Sequence, residues 1–316
     1  MNDHSDLING DRDMKKSGGI SGMIFVIILC VFSFGACGSL PPLPSNQAEV
    51  WSVLPQNSEF FISLQNTEEN QFLWKRFTSS YASENKRVAE ALTQTRGLSL
   101  AVRAEGTIRR NYLILQGRFP GCWINWGLWW DSAWKEIATQ WGPYWQEKSG
   151  KLKIKIIGDQ LLMISTGSMQ ELLEELACFS EKKTEFPLKQ SILSSPLFVY
   201  FPFFTKSNFS EQVPINQKRL PVDEVWLRMT LVEKLYNIES QFSLRSEEDA
   251  MLFSRSFKTF LLWFRGEALI ENFVKRAEVG IDENLVSLLL KGFDEDEIGR
   301  GIEVFQKDEL FSIELN

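Results

Sequence analysis

Lys151-Leu152-Lys153-Ile154-Lys155-Ile156-Ile157-Gly158-Asp159-Gln160-Leu161-Leu162-Met163-Ile164-Ser165 alternates lysine with aliphatic residues, turns at Gly158-Asp159-Gln160 and returns as a second apolar run. Period-two alternation on either side of a Gly-Asp turn specifies an antiparallel hairpin with one buried face. The pattern recurs near the C-terminus as Gly280-Ile281-Asp282-Glu283-Asn284-Leu285-Val286-Ser287-Leu288. Each copy leads into an acidic helical stretch, 169–179 and 294–305, and Ser168 with Glu171 three residues on forms a capping box at the first of them. Two tandem copies of one α+β module, antiparallel strands packed against helices, follow from this echo.

Working outward, residues 59–64 read as an opening strand and 98–103 with 111–116 as a hairpin turning through Glu105-Gly106-Thr107. Between them, Phe72, Leu73, Phe77, Tyr81, Val88 and Leu92 mark a helix from Gln71 that ends at Gly97, with a break expected within 79–85. The second half repeats the order: a strand at 197–201, a hairpin of 224–229 with 236–242, then a helix from Ser246 whose face is Leu252, Phe253, Phe257, Phe260, Leu261 and Phe264. Pro187 and Pro196 bracket a polar boundary. The organisation is a segment 1–36, a Pro-rich stretch 37–50, module one over 51–185 and module two over 196–316.

The N-terminal segment decides the address. Lys15 and Lys16 precede a short apolar run, 23–36, that falls short of the ~20 residues a spanning helix needs and suits a signal-peptide core. Phe34-Gly35-Ala36-Cys37 resembles a bacterial lipobox, with Phe34 where Leu is usual. The chain is therefore similar to bacterial lipoproteins, a resemblance that implies diacylglyceration of the Cys37 thiol and makes that cysteine the first mature residue. Its duplicated α+β module is similar, from about Val53 onward, to a group of uncharacterised exported bacterial proteins with no known catalytic residues. The following Pro-rich, uncharged run to Ser45 suits a tether. Two alternatives stand beside this: ordinary secretory cleavage near Gly35, and an uncut anchor over 20–40. The acidic start, 1–13, suits an export signal poorly, so initiation at Met14 is expected.

Under either cleavage the one histidine, His4, is lost, which removes imidazole-based catalysis, histidine metal sites and the usual pH switch. Net charge moves from −7 to about −6, because four aspartates and three basic residues leave with the signal. Nothing in that balance suits nucleic acid, and no cofactor or metal is expected. Of four cysteines, Cys122 and Cys178 remain, either as a disulfide or as two buried free thiols.

Seven of the eleven tryptophans fall within 123–145. Trp123, Trp126, Trp130 and Trp134 follow helical steps of three, four and four, the spacing of a core-facing stripe, which is the favoured reading. An exposed ligand or partner surface, for peptidoglycan or an envelope protein, is the second. Lys151, Lys153 and Lys155 form either a solvated strand face or a contact with anionic headgroups at about 1 kcal/mol each. The run Asp294-Glu295-Asp296-Glu297 lacks the pattern of a calcium loop and suits a helix N-terminus. Asp159, Asp282 and Glu283 sit in expected turns and would pair as catalytic acids only by coincidence. The reading is a non-enzymatic lipoprotein, membrane-bound through its N-terminal lipid and facing periplasm or cell surface, with a binding or scaffolding role. The alternatives are a carboxylate-dependent carbohydrate-active hydrolase and an apolar-ligand carrier.

Overall fold

The computed structural model describes residues 43–44, 47–84, 86–106, 108–179, 195–204, 222–263 and 275–300. Residues 1–36, where the signal peptide is expected, Cys37, most of the expected tether, the expected module boundary and residues 301–305 of the expected last helix lie outside them. So do the side chains of Phe260, Leu261 and Phe264.

Helix α1 (Gln47–Val53) precedes strand β1 (Phe60–Gln65), and α2 (Gln71–Glu84) and α3 (Lys86–Thr93) lead to the hairpin β2 (Thr95–Glu105) and β3 (Ile108–Gly117). The helix expected to reach Gly97 stops earlier. Gly97 is already strand, paired with Gln65 on one side and Gln116 on the other. After β3 come α4 (Gly121–Trp130), a small hairpin β4 (Trp134–Ile137) and β5 (Tyr144–Glu147), the hairpin β6 (Lys153–Ile157) and β7 (Leu161–Ser165), and α5 (Met169–Cys178). Module two contributes β8 (Leu197–Phe201), β9 (Val222–Val232), β10 (Leu235–Leu244), α6 (Glu247–Trp263), β11 (Ala277–Asp282) and β12 (Leu285–Phe293). The fold is α+β.

All twelve described strands join one antiparallel sheet in the order β11-β12-β10-β9-β8-β1-β2-β3-β7-β6-β5-β4. That order reads as two copies of one five-strand pattern meeting at β1 and β8, which pair antiparallel from Phe61 opposite Tyr200 to Leu64 opposite Leu197. The modules thus fuse edge to edge into a common sheet, which hides the first strand of each copy. Module one adds β4 and β5 as an extension of its far edge.

Strand alternation sorts side chains onto two faces. Phe60, Ile62, Leu64, Leu100, Val102, Val225, Met229 and Val286 share a core with Leu73 and Trp74 of α2, Leu92 of α3 and Phe253 of α6. On the opposite face Phe61, Ala101, Tyr112, Ile114, Met163 and Phe198 meet Trp51 of α1 and Leu172 and Leu176 of α5. Trp51 is fully buried, its ring 5.3 Å from Phe61 and 5.2 Å from Phe198.

The copies part at their ends. The helix after β7 covers the α1 face, whereas the helical turn over 295–300 after β12 sends Ile298 into the α2/α6 core. A break in the β10–β12 register between Tyr236 and Ile238 lies opposite Gly292, which has φ +74°. One extra residue with left-handed backbone reverses which face the chain meets next, and glycine permits it. The row Arg228, Glu239, Leu289 and Glu278 on the α1 side of module two accordingly has three charged members of four, with Arg228 paired to Glu239.

Candidate functional site

Helix α4 contains no charged residue and leaves four indoles exposed: Trp123 at 71%, Trp126 at 56%, Trp129 at 63% and Trp130 at 65%. The core-facing stripe is therefore corrected. The sheet side of α4 is taken by a competing apolar pair, Ile124 and Leu128, which pack against the satellite core of Leu115, Phe119, Ile156 and Leu162 or lie buried themselves. At 3.6 residues per turn, Ile124 and Leu128 lie nearly opposite Trp123, Trp126 and Trp130. Burying one apolar row exposes the other. Trp134 does not continue the stripe, because the helix ends at Asp131, whose backbone is extended and whose carboxylate accepts the Ala133 N–H at 3.0 Å. Trp134 is a half-buried strand residue on β4.

The helix is held at its N-terminus and at its middle. The Asp159 carboxylate accepts the Gly121 N–H at 3.2 Å, and the Asp159 carbonyl accepts from Phe119 at 2.8 Å, which ties α4 to the β6–β7 turn. Asn125 accepts a hydrogen bond from the Trp145 indole at 2.9 Å, securing β5 underneath. Above this footing the exposed rings touch one another edge-to-face: Trp123 to Trp126 at 6.0 Å, Trp126 to Trp130 at 6.0 Å and Trp129 to Trp130 at 5.0 Å. The result is a projecting aromatic ridge.

Cys122 is exposed on the same helix and Cys178 is half-buried at the end of α5. Both are free thiols, so they form no disulfide, and neither is buried as the other reading required. The lysine row also differs from expectation. Lys151 is exposed, but the Lys153 ammonium donates to the Gly167 carbonyl and the Lys155 ammonium to the Pro143 carbonyl. These hydrogen bonds make both lysines braces between strand and loop, and burial lowers the pKa of both.

Asp294 and Glu297 form a reciprocal capping box: the Glu297 N–H donates to Asp294 at 2.8 Å and the Asp294 N–H to Glu297 at 3.2 Å. Among the described residues no group of His, Cys, Asp and Glu could hold a metal ion. Asp159 and Asp282 lie at hairpins of β7 and β12, separated by six intervening strands. Seven strand spacings at ~4.8 Å each make about 34 Å, far beyond the reach of a catalytic carboxylate pair.

One cluster gave no sequence signal. Arg103 on β2 donates to Glu171 of α5 at 2.6 Å, Glu105 at 2.7 Å, the Tyr112 hydroxyl at 2.7 Å and Asn57 at 3.2 Å, and lies 5.2 Å from the Tyr112 ring centre. Burial opposes its charge, but the carboxylate hydrogen bonds outweigh that and push its pKa up. The same hydrogen bond, with a second from Arg110, lowers that of Glu105, while burial raises that of Tyr112. Ser168 caps α5 as its sequence implies, accepting the Glu171 N–H at 3.2 Å. The Glu171 carboxylate, however, serves the arginine. The cluster is a brace between β2, β3 and α5.

No family model matches the sequence, and no curated protein matches it. Among solved structures, three crystal forms of TP0453 are similar to this chain at 14% identity: form I with TM-score 0.54, form IV with 0.52 and form III with 0.51. The matches cover 80–84% of this chain and 96–97% of TP0453. What this chain has in common with TP0453 is the fold.

Proposed function

We propose that this protein is a lipid-anchored lipoprotein of the bacterial envelope with a non-catalytic binding role, tethered through Cys37 and touching the membrane interface a second time through α4. The observation that carries the reading is the exposed indole ridge on a helix without charge. Indoles combine a large apolar body with one N–H donor, the chemistry favoured where acyl chains meet headgroups. A helix lying in that plane buries its apolar side without spanning the bilayer, and no described helix is long and apolar enough to cross one. Diacylation of Cys37 supplies the firm anchor, and the ridge sets how the domain stands on the surface.

Two measurements test the two halves of this reading. Labelled fatty acid is expected on the wild type and absent from Cys37→Ala, and equal labelling of both refutes the anchor. Purified Cys37→Ala protein is expected to float with lipid vesicles and shift its tryptophan emission to the blue, while Trp123→Ser/Trp126→Ser/Trp130→Ser stays in the soluble fraction. If both proteins behave alike, or if the ridge binds peptidoglycan fragments and no vesicles, the membrane contact is refuted.

A further inference from the structure

Gly127 is the one residue on the outward arc of α4 without a side chain, and a Cβ built there would meet nothing within 4 Å. It lies four residues after Trp123 and three before Trp130, the two spacings that place side chains side by side on a helix, and next to Trp126. Three indoles therefore surround a bare patch of helix. Their planes are nearly perpendicular in sequence, Trp123 to Trp126 at 85° and Trp126 to Trp130 at 79°. That is the relation between adjacent walls of a box.

From this geometry we infer that the notch walled by Trp123, Trp126 and Trp130 over Gly127 receives a quaternary ammonium group, as in choline or a choline headgroup. Each ring face attracts a cation within about 6 Å of its centre. A trimethylammonium group suits such walls because its charge is diffuse and its methyl surface gains from leaving water, whereas a compact ammonium is strongly hydrated. No described cation–ring pair occupies these indoles. The C-terminal carbonyls of α4 and the carboxyl of Asp131 add negative potential at the Trp130 end. A sugar ring fits less well. It calls for a flat platform with polar partners for its hydroxyls, and the one polar side chain between Trp123 and Trp130, Asn125, gives its Oδ1 to Trp145 and lies about 160° around the helix from Gly127.

The inference gives the membrane contact proposed above a headgroup preference, yet it can stand or fall separately. Cys37→Ala protein is titrated with choline and with 3,3-dimethylbutan-1-ol, its uncharged isostere, and indole N–H resonances are followed by NMR. Choline is expected to bind about two- to five-fold more tightly, since a cation over exposed rings is worth roughly that factor. Gly127→Leu fills the notch while keeping every tryptophan and improving helix propensity, so it should weaken choline by a similar factor; Trp141→Phe should leave it unchanged. Equal binding of the isostere, or no effect of Gly127→Leu, overturns the notch. Phosphatidylcholine and phosphatidylglycerol vesicles then separate the sources. Preference for phosphatidylcholine identifies a lipid headgroup, and choline binding without that preference identifies a soluble choline compound. Vesicle binding without choline discrimination removes the notch and leaves the membrane contact, while choline discrimination without vesicle binding does the reverse.

Discussion

Replacing Arg103 with methionine keeps most of the side-chain volume while deleting a charge whose side chain is only 13% exposed. Four hydrogen bonds disappear, to Glu171, Glu105, Tyr112 and Asn57. Bonds to charged groups contribute about 1.5–3 kcal/mol each, but Glu171 is 32% and Glu105 42% exposed, so water replaces the arginine at both carboxylates. The Tyr112 hydroxyl retains Glu171 as an acceptor at 3.4 Å. The surviving cost is the weakened link between α5 and the sheet, about 2 kcal/mol, or roughly 4–8 °C in Tm for a domain of this size. Urea denaturation of Cys37→Ala protein followed by far-ultraviolet circular dichroism reads it. The cycle with Glu171→Gln should return a coupling of about 1 kcal/mol. A loss below about 0.5 kcal/mol, or strictly additive single changes, would refute the brace.

The same cluster predicts an acid limb. Because Arg103, and secondarily Arg110, lower the folded pKa of Glu105, its contribution is present above the unfolded carboxyl value and is lost as pH falls through the folded one, so Arg103→Met should flatten stability against pH in that window. Gly167→Ala would place a Cβ 2.3 Å from the hydroxyl and 2.5 Å from the ring of fully buried Tyr112, and thermal unfolding should show a loss of at least about 2 kcal/mol. Phe253→Ala should cost about 3–5 kcal/mol, whereas Trp126→Ser should change stability by less than about 0.5 kcal/mol, a contrast that denaturation curves would contradict if the two were similar. A maleimide pulse on native protein with peptide mapping should label exposed Cys122 well before half-buried Cys178.

Local chemistry made much of the fold legible. The β8 strand lies where its run of large apolar residues places it, and the β9–β10 turn uses Glu233 and Lys234 at φ 53° and 68°, the tight geometry that matches strand twist. Ser168, Ser246 and Asp294 cap their helices because each offers an oxygen to an N–H three residues on. The ridge was legible as a row but not as a surface. Periodicity identifies a face, and α4 has two apolar faces to choose from. The β4–β5 hairpin lay hidden in a stretch so rich in tryptophan that helical and strand periods overlap.

From sequence alone came the duplicated hairpin, the α+β class, the caps and the lipobox-like Cys37, all set by neighbours within a few residues. Tertiary structure decided the rest. It joined β1 to β8 across 130 or more residues, let Gly292 send the last helix to the other face, gathered Arg103, Tyr112 and Glu171 from three elements, and buried Leu128 with Ile124 packed on the satellite core so that the tryptophans face outward. The physical reason is common to all four. A sequence pattern specifies which residues share a face, but only the competition among faces for a finite sheet determines which of them water keeps.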